Sequence, residues 1–98
     1  MFGYWPVGTT AFALCAVSNA SGIAVAADAL PTFRVYGSSA TPVATGTTSI
    51  FDSPTLTGVY LFQFSTASGF ARGSNYQVVV SYNVGAQPRE QVFSFAII

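Results

Sequence analysis

Residues 52–83 read DSPTLTGVYLFQFSTASGFARGSNYQVVVSYN, and the fold is decided there. From Gly58 to Thr66 the side chains alternate: Tyr60, Phe62 and Phe64 fall on one face, Val59, Leu61, Gln63 and Ser65 on the other. That two-residue period is the period of a strand. Tyr76 to Tyr82 repeats it, with Tyr76, Val78, Val80 and Tyr82 against Gln77, Val79 and Ser81. Between the two runs, Gly69-Phe70 and Gly73-Ser74-Asn75 set chain-reversing residues around one apolar plug. Two strands joined by a structured corner predict a β-sandwich, and the stretch carries no catalytic group.

Working outward, the bulk properties bound the rest. Ninety-eight residues make a single domain, 1–98, long enough for one core without disulfides or metal. Hydrophobic residues are 51% of the chain but charged residues only 6%, against roughly 25% in typical soluble domains. The six charges are Asp28, Arg34, Asp52, Arg72, Arg89 and Glu90, and they sum to zero. A neutral surface gives no long-range self-repulsion and invites association, so a homo-oligomer or larger assembly is expected. No basic patch exists for nucleic acid. Cys15 is alone and histidine is absent, which removes an internal disulfide and a zinc cluster. Cys15 reads as a small buried residue of a strand.

The chain opens on MFGYWP, in which Phe2, Tyr4 and Trp5 crowd before Pro6. Three roles are open to these rings: capping the sandwich end, inserting into a neighbouring subunit, or stacking on a sugar. Residues 1–6 are expected to form an arm that contacts a partner, with Phe2, Tyr4 and Trp5 as its interface. Val7 to Val17 reads as the first strand, followed by a turn at Ser18 to Gly22 and a short apolar run from Ile23 to Ala27. That opening is apolar enough to suggest a secretory leader, but no Lys or Arg precedes Arg34, so no signal peptide is expected. No apolar run approaches a membrane span. Asn19-Ala20-Ser21 matches a glycosylation acceptor, which has meaning only on a secretory route.

Pro31 to Tyr36 predicts a strand with Phe33 and Val35 inward. Val43 to Phe51 predicts a Thr-rich strand with Gly46 as a bulge. Asn83 to Pro88 predicts a turn, and Glu90 to Ile98 the last strand. One turn of helix is allowed around Ala67 to Ala71. About seven short strands with turn residues between them predict an all-β, immunoglobulin-like or fibronectin-type sandwich. Gly73 and Tyr76 form its structural corner. The Tyr76 ring is expected to pack inward while its hydroxyl bonds upstream backbone.

The order Pro31-Thr32-Phe33-x-Val35-Tyr36, Asp52, Thr57-Gly58-x-Tyr60, Gly69-Phe70-x-x-Gly73-x-x-Tyr76 and Ser94-Phe95-x-Ile97 resembles small β-sandwich proteins of tailed bacteriophages, encoded among virion structural genes. The likeness covers about residues 7–98. It implies a virion structural protein made in the host cytoplasm: a capsid decoration or cement protein bound between major capsid protein subunits, or a neck or tail accessory. By analogy the homo-oligomer would be a trimer. The resemblance implies no catalytic residue, cofactor or metal.

Two other function classes are weighed against this one. An enzyme needs titratable groups gathered at a site, and three acids, three arginines and one cysteine make a poor supply; no enzymatic activity is expected. A carbohydrate-binding or adhesive module is the nearer rival, because sandwich loops and aromatic rings suit sugars. An open platform of Tyr4, Trp5 or Tyr82 would favour it, whereas the same rings buried against protein would favour assembly.

Overall fold

Gly85 and Ala86 carry φ of 56° and 64°, and this left-handed pair closes a long hairpin of β7 (Asn75–Val84) with β8 (Gln87–Ile97). Two consecutive positive φ values make a type I′ turn, whose twist matches that of the strands it joins. The loop expected over Asn83 to Pro88 is therefore two residues long. The ladder runs in register from Val84↔Gln87 to Asn75↔Ala96. These features belong to a computed structural model that describes residues 3–51 and 57–98.

Among the described residues eight strands form two sheets. β1 (Tyr4–Trp5), β8, β7, β3 (Thr32–Tyr36) and β4 (Ala44–Thr47) lie in that order in a five-stranded sheet, with β1 parallel to β8 and the other pairs antiparallel. β2 (Thr10–Ala16), β6 (Val59–Ser65) and β5 (Ser49–Ile50) form the antiparallel three-stranded sheet. The expected all-β class is what the chain adopts.

The segment expected as one strand from Val43 to Phe51 is two strands in different sheets. The chain changes sheet at Thr48, which is buried, and both its N–H and its Oγ1 donate to the Pro31 carbonyl at 2.9 Å. Those two bonds satisfy polar groups that the crossing takes out of both ladders. Gly46 is not a bulge, because it sits opposite Phe33 in an unbroken register. A Cβ there would lie 2.7 Å from Phe33 Cζ, so the glycine makes room for the ring. No helical turn forms at Ala67 to Ala71. Just before that segment Thr66 is buried, its hydroxyl 3.0 and 2.8 Å from the Pro6 and Thr9 carbonyls while accepting from the Thr9 N–H at 3.1 Å.

The core lies between the sheets. Ala11, Cys15 and Val17 meet Tyr60, Phe62 and Phe64 on one side, and Phe33, Val35, Tyr76, Val78, Val80, Phe95 and Ile97 on the other. Each buried Phe or Val removes enough apolar area from water to contribute about 1.5–3 kcal/mol before entropy is counted. Phe70 fills the corner as the expected plug, 4.9 Å from Tyr76 and 5.8 Å from Phe64 between ring centroids.

Candidate functional site

Alternation that buries one face of β2 and β6 must expose the other, and here the exposed face is apolar. Phe12 and Leu14 are 54% and 44% exposed. They stand opposite Gln63 and Leu61 in the β2–β6 register. Phe51 joins them just beyond β5, where its N–H donates to the Val59 carbonyl. Together Phe12, Leu14, Phe51, Leu61 and Gln63 line a shallow hollow of about 400 Å³. β2, β5 and β6 contain no charged residue.

The described charges lie elsewhere. Arg34 donates to Glu90 at 3.1 Å, to Ser81 at 3.2 Å and to the Tyr36 hydroxyl at 3.1 Å, across the outer face of the five-stranded sheet. Asp28 accepts from the N–H groups of Gly85 and Ala86 at 3.0 and 2.7 Å, tying the Asp28 loop to the hairpin tip. Arg72 and Arg89 are exposed. Asp52 lies outside the described residues. The asymmetry matters physically: one face is solvated by a charged network, while the other offers water mainly hydrocarbon.

Of the opening rings, Phe2 lies outside the described residues. Tyr4 and Trp5 belong to β1, opposite Ala96 and Ile97 at the edge of the chain's own sheet. Ala96 donates to the Gly3 carbonyl at 3.2 Å and Ile98 to that of Trp5 at 3.1 Å. Trp5 is partly buried and lies 5.2 Å from Phe12 between ring centroids, beside the apolar face. Tyr4 is 66% exposed. Tyr82 is partly buried, and its hydroxyl accepts from Gln91 Nε2 at 2.9 Å.

At the corner, Gly73 adopts φ 79° and donates to the Ile97 carbonyl at 2.6 Å. No atom lies within 4 Å of where a Cβ would stand, so the left-handed backbone, not space, asks for glycine. Tyr76 is buried and its hydroxyl accepts from the Ala71 N–H at 2.7 Å. Tyr60 does the same for the Ala27 N–H at 2.9 Å, a partner that alternation alone does not point to.

A second hollow, of about 480 Å³, opens among Tyr36, Asn75, Gln77 and Ser94 on the five-stranded sheet. No group of three or more His, Cys, Asp or Glu side chains is placed to hold a metal among the described residues. Burial pushes the Cys15 thiol up to about 11, so it is a protonated core side chain at neutral pH. No described helix is long and apolar enough to cross a membrane. No family model, curated protein or solved structure matches the chain.

Sequence reasoning placed the rings of Tyr4 and Trp5 at the front of the site and passed over Phe12 and Leu14. The signal for the latter was present, because TAFALCA alternates with large residues at 12 and 14 and small ones at 11 and 13. Reading it required knowing that the small side faces inward, against the large rings of β6.

Proposed function

We propose that this chain is a structural protein of a virion, a capsid decoration protein that binds between major capsid protein subunits and stabilises the shell. The observation that carries this reading is the apolar outer face of the three-stranded sheet, with Phe12, Leu14, Leu61 and Phe51 together and no charge in its strands. An exposed face of that kind is expected of a surface covered by other protein. The resemblance of residues 7–98 to phage β-sandwich proteins supports the same reading. So does the strand order, which we read as immunoglobulin-like. In that reading β8, β7 and β3 take the places of strands G, F and C, with β4 as C′ beside them, and β2, β6 and β5 those of B, E and D.

The test is direct. Virions purified from the encoding phage are analysed for this chain by mass spectrometry and by symmetry-averaged reconstruction. A copy number matching a capsid symmetry class, with density between capsid subunits, supports a decoration role. A few copies at the neck or tail select the accessory role, and absence from the particle sinks the reading.

A second reading, a carbohydrate-binding module, is favoured by the second hollow. There Tyr36 offers a ring, and Asn75, Gln77 and Ser94 offer neutral hydrogen-bonding groups. Clear hits on a glycan array, abolished by Tyr36→Ala, would put that reading first.

A further inference from the structure

We infer that two copies of this chain pair through β2, edge to edge and antiparallel, joining their three-stranded sheets into one of six strands. The inference deepens the assembly reading above by naming a second copy and its surface. Its own ground is the hydrogen-bond parity of the edge.

Val17 donates to the Gly58 carbonyl at 2.7 Å and Thr66 to that of Thr9 at 2.9 Å. With the register running from Thr10↔Ser65 to Ala16↔Val59, antiparallel alternation then fixes the rest. Odd-numbered residues 9 to 17 bond β6, and the N–H and C=O of Thr10, Phe12, Leu14 and Ala16 point away from it. Among the described residues no strand pairs with that side. The Ala16 carbonyl alone accepts a side chain there, Gln91 Nε2 at 2.7 Å.

The other sheet edges are protected in the ways natural proteins use. β1 and β5 have two residues each and β4 has four. β8 is long, but it bonds β7 through residues 87, 89, 91, 93 and 95, by the parity that the type I′ turn sets. Its open edge therefore begins with Pro88, which has no N–H to offer, and continues with the charged Glu90. β2 has seven residues without a proline, a charge or a bulge.

The strand is also self-complementary. A two-fold axis through Ala13 sets Thr10 against Ala16 of the partner subunit and Phe12 against Leu14 of the partner subunit, which joins the outward groups in about eight main-chain bonds, the Ala16 carbonyl taking the N–H of the partner's Thr10 in addition to or in place of Gln91 Nε2. It brings the two apolar faces side by side, with Phe12–Leu14 cross-strand pairs on the shared surface. With no charge on that surface, a second copy meets no like-charge repulsion, and salt has little to screen. Edge pairing covers less than the roughly 800 Å² per partner of a standard interface, so the dimer forms with micromolar dissociation rather than permanently.

The full chain is examined by analytical ultracentrifugation from about 1 to 500 µM, a range set by that area. A monomer–dimer equilibrium insensitive to salt is expected. Leu14→Pro removes an N–H that no internal bond uses, and Phe12→Lys sets a charge at the seam. Each is expected to weaken dimerisation at least tenfold while circular dichroism keeps the native β spectrum. Register is read by disulfide trapping. Opposed residues 12 and 14 stand about 5.5 Å apart at Cα, inside the disulfide range, whereas 12 against 12 or 14 against 14 stands about 8–9 Å apart.

A mixture of Phe12→Cys and Leu14→Cys proteins should therefore cross-link, while either alone and the unaltered chain should not. A monomer at 500 µM overturns the inference. So does a trimer, a dimer unaffected by Leu14→Pro, or trapping by one cysteine variant alone. A chain that dimerises in this way yet is missing from virions retires the proposed function and keeps this inference. One found in virions but monomeric in solution does the reverse.

Discussion

The backbone N–H of Ala71 donates to the phenol oxygen of Tyr76, five residues downstream, at 2.7 Å. The ring beneath that oxygen packs between Phe70 and Phe95, 4.9 and 5.6 Å away between centroids. One side chain thus anchors the corner to the core and fixes the backbone that leads into it.

Tyr76→Phe should keep the ring and lose the bond, costing about 1 kcal/mol because Ala71 is exposed and water replaces part of the interaction. Tyr76→Ala also removes the packing and should cost about 3–5 kcal/mol. Urea denaturation with an unchanged slope checks both. Equal costs for the two variants would mean that the ring contributes nothing.

Two glycines should respond to alanine by different amounts. At Gly46 the new methyl meets the Phe33 side chain, a ring packed in the core, and about 1–3 kcal/mol is expected. At Gly58 the methyl lies 2.7 Å from the Val17 carbonyl oxygen and closer still to that of Val25, on a backbone held at φ 77°. Main-chain carbonyls yield less readily than a side chain, and the Val17 carbonyl also accepts from the Val25 N–H at 3.2 Å, so Gly58→Ala should cost more than Gly46→Ala and lower expression of folded protein. Thermal melts of the pair give the order.

Ala86 holds φ 64° without being glycine, a conformation that costs an L-residue about 1 kcal/mol. Ala86→Gly should therefore stabilise the hairpin by about 0.5–1 kcal/mol, less whatever the unfolded chain gains in freedom. The bond from its N–H to Asp28 is unaffected by the exchange. A rise in the urea midpoint is the expected readout.

Cys15 supplies a pH dependence. Its thiol is raised by burial from 9.0 to about 11, so the folded state holds its proton where the unfolded chain has released it. Its contribution is fully present below pH 9 and is lost as pH rises from 9 to 11, by up to about 1.4 kcal/mol per pH unit. Cys15→Ala should be less stable than the unaltered chain at pH 7, and the gap should narrow by pH 11. Comparing the two chains cancels every contribution they share. Alkylation of native Cys15 at pH 8 should be slow.

Much of this fold was legible in the order of residues. The alternation of Tyr60, Phe62 and Phe64, and of Tyr76, Val78 and Val80, reports which face is buried whatever the topology is. Gly73 and Tyr76 were legible for the same reason, since a left-handed turn and a ring behind it are local. Less legible were features settled by contacts distant in sequence. Gly46 serves a ring thirteen positions earlier in the chain, and Thr48 changes sheet because Pro31 offers it a carbonyl. Asn83-Val84-Gly85-Ala86 looks like a loop until the pairing of β8 draws Asn83 and Val84 into the ladder. The apolar face stayed hidden because Phe12 and Leu14 resemble core residues until Ala11 and Cys15 are seen to occupy the interior.

The parallel contact of β1 with β8 has a mechanical meaning. The first and last strands lie side by side and point the same way, so tension applied between the chain ends slides one along the other. The main-chain bonds at Gly3 and Trp5 then take the load together instead of opening one after another. For its small size such a clasp resists stretching stiffly up to a threshold and then lets go abruptly, a brittle response rather than a gradual one.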